Sequence, residues 1–166
     1  MLEDIKEVLY SEEDLKAIVK RLGAQISEDY KNRKLLMVSV LKGSVMIMAD
    51  LMREITIPCE IDFMAVSSYG NGTKTSGAVK IIKDLDRNIE GYDLLIVEDI
   101  LSARKPNSIR ICTLFDKPDR RQVDLTAEYI GTEVPDEFIV GYGLDYAEKY
   151  RNLPFVGILK EYVYSE

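Results

Sequence analysis

Leu94-Leu95-Ile96-Val97-Glu98-Asp99-Ile100 is the stretch on which the fold turns. Four consecutive apolar residues without polar alternation mark a strand covered on both faces, the habit of parallel sheets. The run then stops at two adjacent carboxylates, Glu98 and Asp99. Open parallel sheets bind ligands beyond the carboxyl ends of their strands, so this acidic pair stands at the expected crevice. There it can accept hydrogen bonds from vicinal ribose hydroxyls or hold a hydrated Mg2+, which takes few protein oxygens and keeps several waters. A solvated turn is the other reading, and acidic pairs are common in turns.

Outward from this strand the pattern is that of an α/β protein. Leu35–Leu41 (LLMVSVL) is a second unbroken apolar run, and Lys42-Gly43-Ser44 joins it to the Met-rich stretch 45–55, as a buried strand feeds a helix. Such a turn offers backbone N–H groups and an ammonium to an anion, with phosphate or pyrophosphate the natural guest. It is not a P-loop, because GxxxxGK[ST] is absent, and an ordinary βα turn stays open as the alternative. Ser11 stands as an N-cap with Asp14 three residues on, and Leu15, Ile18, Val19, Leu22 and Ile26 recur at helical spacing. Residues 61–67 read as a strand, 68–77 (SYGNGTKTSG) as a mobile loop, and 79–82 as an antiparallel return. Further strands are expected at 108–115, 127–131, 138–141 and 155–159. The predicted fold is one α/β domain over 1–166, with a mostly parallel central sheet flanked by helices.

Composition narrows the chemistry. A chain of 166 residues, 46% hydrophobic, can bury one complete core. Its 29 acidic against 22 basic residues give a formal charge of −7, which argues against nucleic acid as a partner, so any phosphate site must be a local basic feature. The absence of histidine excludes Ser-His-Asp and Cys-His catalysis and His-rich zinc sites. Cys59 and Cys112 lie far apart in apolar runs, which predicts buried thiols in a reducing compartment. The acidic start MLEDIKEVLY is no signal peptide, and no stretch approaches the roughly 18 apolar residues of a membrane span. The expectation is a cytoplasmic protein without a membrane partner. Asp84, Asp86 and Asn88 alternate as in a calcium loop, but Ile89 stands where that loop needs glycine, which removes the reading. Lys117, Asp145 and Arg151 are charged residues beside apolar runs, for which surface ion pairing is the default.

One junction does not close. If 94–97 and 109–115 are parallel neighbours, the chain between them needs a crossover of about a dozen residues or more, usually a helix. Residues 100–107 are only eight and include Lys105-Pro106-Asn107, which would end a helix. Either these strands are not neighbours or a segment is missing near 100–103, and the latter is the expectation.

Taken together, VLKGSVMIMADL, DFMAVSSYG, LLIVEDI, FDKP and VPDEFIVGYGLDYAEKYRNLPFVGILK resemble the hypoxanthine-guanine phosphoribosyltransferase family, in order and over most of the chain. The resemblance implies the type I phosphoribosyltransferase fold, with a small hood built from the N- and C-terminal segments. It implies transfer of 5-phosphoribosyl from phosphoribosyl pyrophosphate to the 6-oxopurines hypoxanthine or guanine, with Mg2+, giving nucleotide and pyrophosphate. Glu98 and Asp99 then address the ribose hydroxyls and the metal, and Asp145 a second Mg2+. Leu41, Lys42, Gly43, Ser68, Tyr69 and Arg151 hold phosphoribosyl pyrophosphate, with a non-proline cis bond at Leu41-Lys42. Ile100 lies against the base, Lys117 bonds its oxo group, Phe138 stacks on it and the backbone of Ile139 reads its edge. The loop containing Ser68-Tyr69 closes over the reactants, and the family suggests a homodimer or homotetramer.

The sequence departs from the family at one place. After VEDI the family continues with aspartate, Ser or Thr, Gly, any residue, Thr and Leu; that loop cradles the ribose phosphate, and its aspartate is the general base. Here VEDI runs into LSARKPNSIRI, the junction where the crossover was too short, and the general base is unassigned. Without the loop, phosphate anchoring and proton transfer both fail and a non-catalytic nucleotide-binding regulator becomes the alternative; a Mg2+-dependent hydrolase using Glu98 and Asp99 is a third. Mass spectrometry of the intact cellular protein should give more than 18.9 kDa, by the weight of about a dozen residues. A mass of 18.9 kDa would mean that the shortening is genuine.

Overall fold

The computed structural model describes residues 1–68, 79–97, 108–117 and 127–165. Its centre is a six-stranded sheet. The strands are β2 (Leu35–Leu41), β3 (Cys59–Ser68), β4 (Val79–Lys83), β5 (Asp93–Val97), β6 (Ser108–Asp116) and β7 (Tyr129–Glu133), in the order β4-β3-β2-β5-β6-β7. All neighbours run parallel except β4, which returns antiparallel along β3 at the edge. The antiparallel arms expected around 61–82 are therefore present, while 69–78 lie outside the described residues.

The unbroken apolar runs of β2 and β5 follow from burial on both faces. Leu35, Met37, Leu95 and Val97 face one core with Cys112. Leu36, Val38 and Leu94 face the other, which is closed by Met64 and by Leu85, Ile89 and Tyr92 of the segment before β5. With both faces dry, alternation has no physical cause. The first face is covered by α1 (Glu12–Asp29) and α2 (Val45–Glu54). Leu15, Val19, Leu22 and Ile26 of α1 and Ile47, Met48 and Leu51 of α2 fill that core. Ser11 caps α1 as its spacing predicted: its hydroxyl accepts from the Asp14 N–H, and the Asp14 carboxylate accepts from the Ser11 N–H. Gly23 permits close helix contact, since a Cβ there would lie 2.5 Å from that of Glu54.

A second sheet stands apart in hydrogen bonding, in the order β1-β9-β8, and joins the two ends of the chain. It comprises β1 (Ile5–Tyr10), β8 (Ile139–Val140) and β9 (Val156–Leu159), all antiparallel. Sequence reading gave no strand at 5–10, because Lys6, Glu7 and Val8 are all exposed and the segment carries no clean alternation. Pairing with β9 defines it instead. The expected strands at 138–141 and 155–159 are β8 and β9, in this sheet rather than the parallel one, and β7 begins two residues later than expected.

Both cysteines are free, but only Cys112 is buried; Cys59, at the mouth of β3, is partly open. Burial pushes the Cys112 thiol up to about 12 and raises that of Cys59 as well. A group whose neutral form is favoured this far holds almost no thiolate near pH 8. Titration with an aromatic disulfide at pH 8 should therefore label Cys59 first and Cys112 only as the protein unfolds; equal rates would contradict this packing.

Candidate active site

At the carboxyl end of β2 the chain turns through Lys42-Gly43-Ser44 into α2, and the Leu41–Lys42 bond is cis, as the resemblance implied. The turn is fastened from below. Ser39 and Ser44, both fully buried, share a 2.6 Å hydrogen bond, and the Ser44 hydroxyl bonds the Val40 carbonyl at 2.5 Å. From the other side comes the segment 141–151, held by short backbone bonds. The Tyr142 N–H donates to the Leu153 carbonyl and the Gly143 N–H to that of Arg151, both at 2.9 Å. Gly143 has φ +97, and a Cβ on it would lie 2.2 Å from the Gly43 carbonyl oxygen. No side chain fits there. Tyr142 anchors the same segment to α2 by donating to an Asp50 carboxylate oxygen at 2.6 Å, and burial first, then this bond, raises its phenol.

Between these elements lies a cavity of about 860 Å³, reached by the carboxyl ends of β5 and β6 through Val97, Thr113 and Phe115. Lys42, Gly43, Lys117, Phe138, Ile139, Asp145 and Arg151 line it, so seven residues singled out from the sequence converge on one space. Leu41 closes β2 behind the turn, and Ser68 ends β3 opposite Val79. Glu98, Asp99, Ile100 and Tyr69 lie outside the described residues, although Val97, the residue before Glu98, is on the cavity wall.

The cavity has two chemically distinct ends. At one, the Lys117 ammonium is aimed by a 2.6 Å bond to the Glu137 carbonyl. Beside it the Phe138 ring stacks on Tyr164 at 5.1 Å and meets Tyr146 edge-on at 5.4 Å. Ile139 is fixed by pairing with Ile158 in β9. This end presents a flat apolar face and a cationic donor. At the other end Arg151 donates to the Gly143 carbonyl at 2.8 Å and pairs with Asp145 at 2.8 Å. Lys42 reaches the carboxylate of Glu148 at 3.1 and 3.2 Å, and the bond from Lys42 holds that carboxyl below its usual range, with Arg151 adding to the effect. This end brings together two cations, each paired with a carboxylate. Glu148 and Tyr164 escaped sequence reading, since a lone Glu in a charged run and a Tyr near the end of the chain carry no local signal.

Residues 7–147 match the family model described as a phosphoribosyl transferase domain, which is the class of protein that this sheet and its cavity define. The chain is 54% identical over 180 positions to the hypoxanthine-guanine phosphoribosyltransferase of Streptococcus pyogenes, with all of both chains covered. It is 54% identical over 179 to that of Staphylococcus epidermidis, again with all of both covered. A solved hypoxanthine phosphoribosyltransferase from Staphylococcus aureus superposes with a TM-score of 0.93 at 52% identity, covering 100% of this chain and 97% of the other. A hypoxanthine-guanine phosphoribosyltransferase from Bacillus anthracis, with HEPES in its active site, gives 0.87 at 49%, covering 94% and 99%. This chain belongs to the hypoxanthine-guanine phosphoribosyltransferase family. The Streptococcus alignment spans 180 positions against 166 residues here, so at least 14 of them have no residue in this chain.

The glycine contact makes a direct prediction. Gly143→Ala must push the Lys42-Gly43 turn away from 141–151. Calorimetric titration with inorganic pyrophosphate should show weaker binding than in the unaltered protein, and unchanged affinity would mean that the two turns do not set the anion site.

Proposed function

We propose that this protein salvages purines, transferring 5-phosphoribosyl from phosphoribosyl pyrophosphate to hypoxanthine or guanine and releasing pyrophosphate with IMP or GMP. The observation that carries the reading is one cavity with a stacking face and cationic donor at one end and paired cations at the other. Lys117 donates to the base's six-oxo group, which favours 6-oxopurines over adenine, whose amino group would set donor against donor. Phe138 stacks on the ring, and the backbone of Ile139, held by β9, reads its edge. Ile100 lies on the opposite face. Lys42, Gly43 and Arg151 grip the pyrophosphate, with Leu41, Ser68 and Tyr69 completing that subsite.

As the sugar–pyrophosphate bond breaks, the leaving group gathers negative charge and the sugar becomes oxocarbenium-like. Cations already in place stabilise that distribution without reorganising, which is the largest source of catalysis available to such a site. Glu98 and Asp99 bind the ribose hydroxyls. Closure of the loop that includes Ser68-Tyr69 keeps water from the activated sugar and limits its hydrolysis.

Asp145 suits Mg2+, which binds through one or two carboxylates together with substrate phosphates rather than in an all-protein cage. Its carboxylate lines the cavity beside Arg151 and is oriented by the Glu148 N–H at 2.9 Å. Glu98 and Asp99 would hold the other ion, and bound Mg2+ supplies charge neutralisation on the phosphates. We place the positions absent from this chain between β5 and β6, because these strands are parallel neighbours with only residues 98–107 between them, short for a crossover. The general base belongs to that segment. Val45, Met46 and Met52 expose apolar surface on α2, which supports a homodimer or homotetramer built through that helix. No helix among the described residues is long and apolar enough to cross a membrane, consistent with work in the cytoplasm.

A spectroscopic assay with hypoxanthine, phosphoribosyl pyrophosphate and Mg2+ tests the reading on protein of verified mass. Lys117→Gln should lower kcat/KM for hypoxanthine by about 10- to 100-fold, the value of a hydrogen bond to a charged group at ~1.5–3 kcal/mol. Binding without turnover in protein that carries the full loop would favour a regulator, and pyrophosphate release without purine would favour a hydrolase.

A further inference from the structure

Glu148 sits on the two cations at one end of the cavity and has no part in the proposed chemistry, and its surroundings are unusual. Its backbone has φ +62, and the preceding Ala147 has φ +50. Residues with a Cβ seldom adopt this left-handed region. The conformation is held by the bond from the Glu148 N–H to Asp145. It directs the Glu148 carboxylate onto Lys42 at 3.1 and 3.2 Å, with Arg151 at 3.5 Å from the same group. Lys42 and Arg151 are the two cations assigned above to pyrophosphate.

We propose that the Glu148 carboxylate is an internal counterion on the pyrophosphate cations, displaced when pyrophosphate binds and restored when it leaves. The inference rests on the anion subsite assigned under Proposed function. An anion taking the same ammonium and guanidinium donors competes with a carboxylate already on them, and like charges in one small space oppose one another. The carboxylate therefore weakens the hold on the product and gives the cations a partner when it departs. Its influence is bounded by exposure. Lys42 and Glu148 are each 66% exposed in their side chains, so the pair is screened and its displacement costs little. An effect of about two- to fivefold on pyrophosphate affinity fits one exposed ion pair.

The test is calorimetric titration of inorganic pyrophosphate, with Mg2+ present, into the unaltered protein, Glu148→Gln and Glu161→Gln. Glutamine keeps the length and the backbone N–H bond but gives up the charge, while Glu161 is an exposed carboxylate of the C-terminal turn that controls for net charge. Glu148→Gln should bind about two- to fivefold more tightly, with the gain shrinking as salt is raised, and Glu161→Gln should match the unaltered protein. Equal affinities in all three, or equal gains in both variants, would overturn the counterion role while leaving the site assignment intact. Failure of pyrophosphate to bind any of them, with melting curves showing folded protein, would overturn the site assignment and this inference together.

Discussion

Gly143 passes so close to the Gly43 carbonyl that any side chain on it would collide, and the whole cavity is organised by that approach. One partner is the turn at the end of β2, a strand of the parallel sheet buried at all but its last residue. The other belongs to the segment that hangs from the small antiparallel sheet through β8 and β9. Where the two backbones touch, the floor provided by the parallel sheet meets the wall provided by the other. Tyr142, donating to Asp50 on α2, secures the same contact from the side. Moving either turn would separate Lys42 from Arg151.

Charge is managed by the same geometry. A chain with a formal charge of −7 is a poor general host for phosphates, so its cations must be concentrated and held. Arg151 is fixed by the Gly143 carbonyl and Asp145, and Lys42 by the turn that carries it and by Glu148. Lys117 is separated from this group and aimed by the Glu137 carbonyl beside the Phe138 ring. The cavity thus keeps Lys42 and Arg151 apart from Lys117 and the Phe138 ring, the separation that the proposed joining of a flat base to a phosphorylated sugar uses. Family membership and the cavity agree on that chemistry, though they rest on different observations.

Much of this was written locally in the chain. The runs at 35–41 and 94–97 had to be buried parallel strands, because apolar side chains on both faces leave no water-facing side. The Ser11–Asp14 spacing set the start of α1, since a capping box is a bond between neighbours in sequence. The strand β1 was not legible: three consecutive side chains in it are exposed, and pairing with β9, about 150 residues away, makes it a strand. The same limit applied to Lys117, Asp145 and Arg151, whose charges alone pointed to surface ion pairs. Only the family resemblance gave them roles in advance.

The helix α1, the buried strands of the parallel sheet, the acidic balance and the family could be read from the residues alone, because propensity, burial pattern and motif order are properties of short stretches. Tertiary structure alone decided that Lys42, Lys117, Phe138, Asp145 and Arg151 face one cavity, and that Glu148 sits on two of its cations. Those relations depend on how the two sheets come together and on left-handed backbone at Tyr142, Gly143, Ala147, Glu148 and Tyr150. Distances between residues a hundred positions apart are set by packing, which no local pattern encodes.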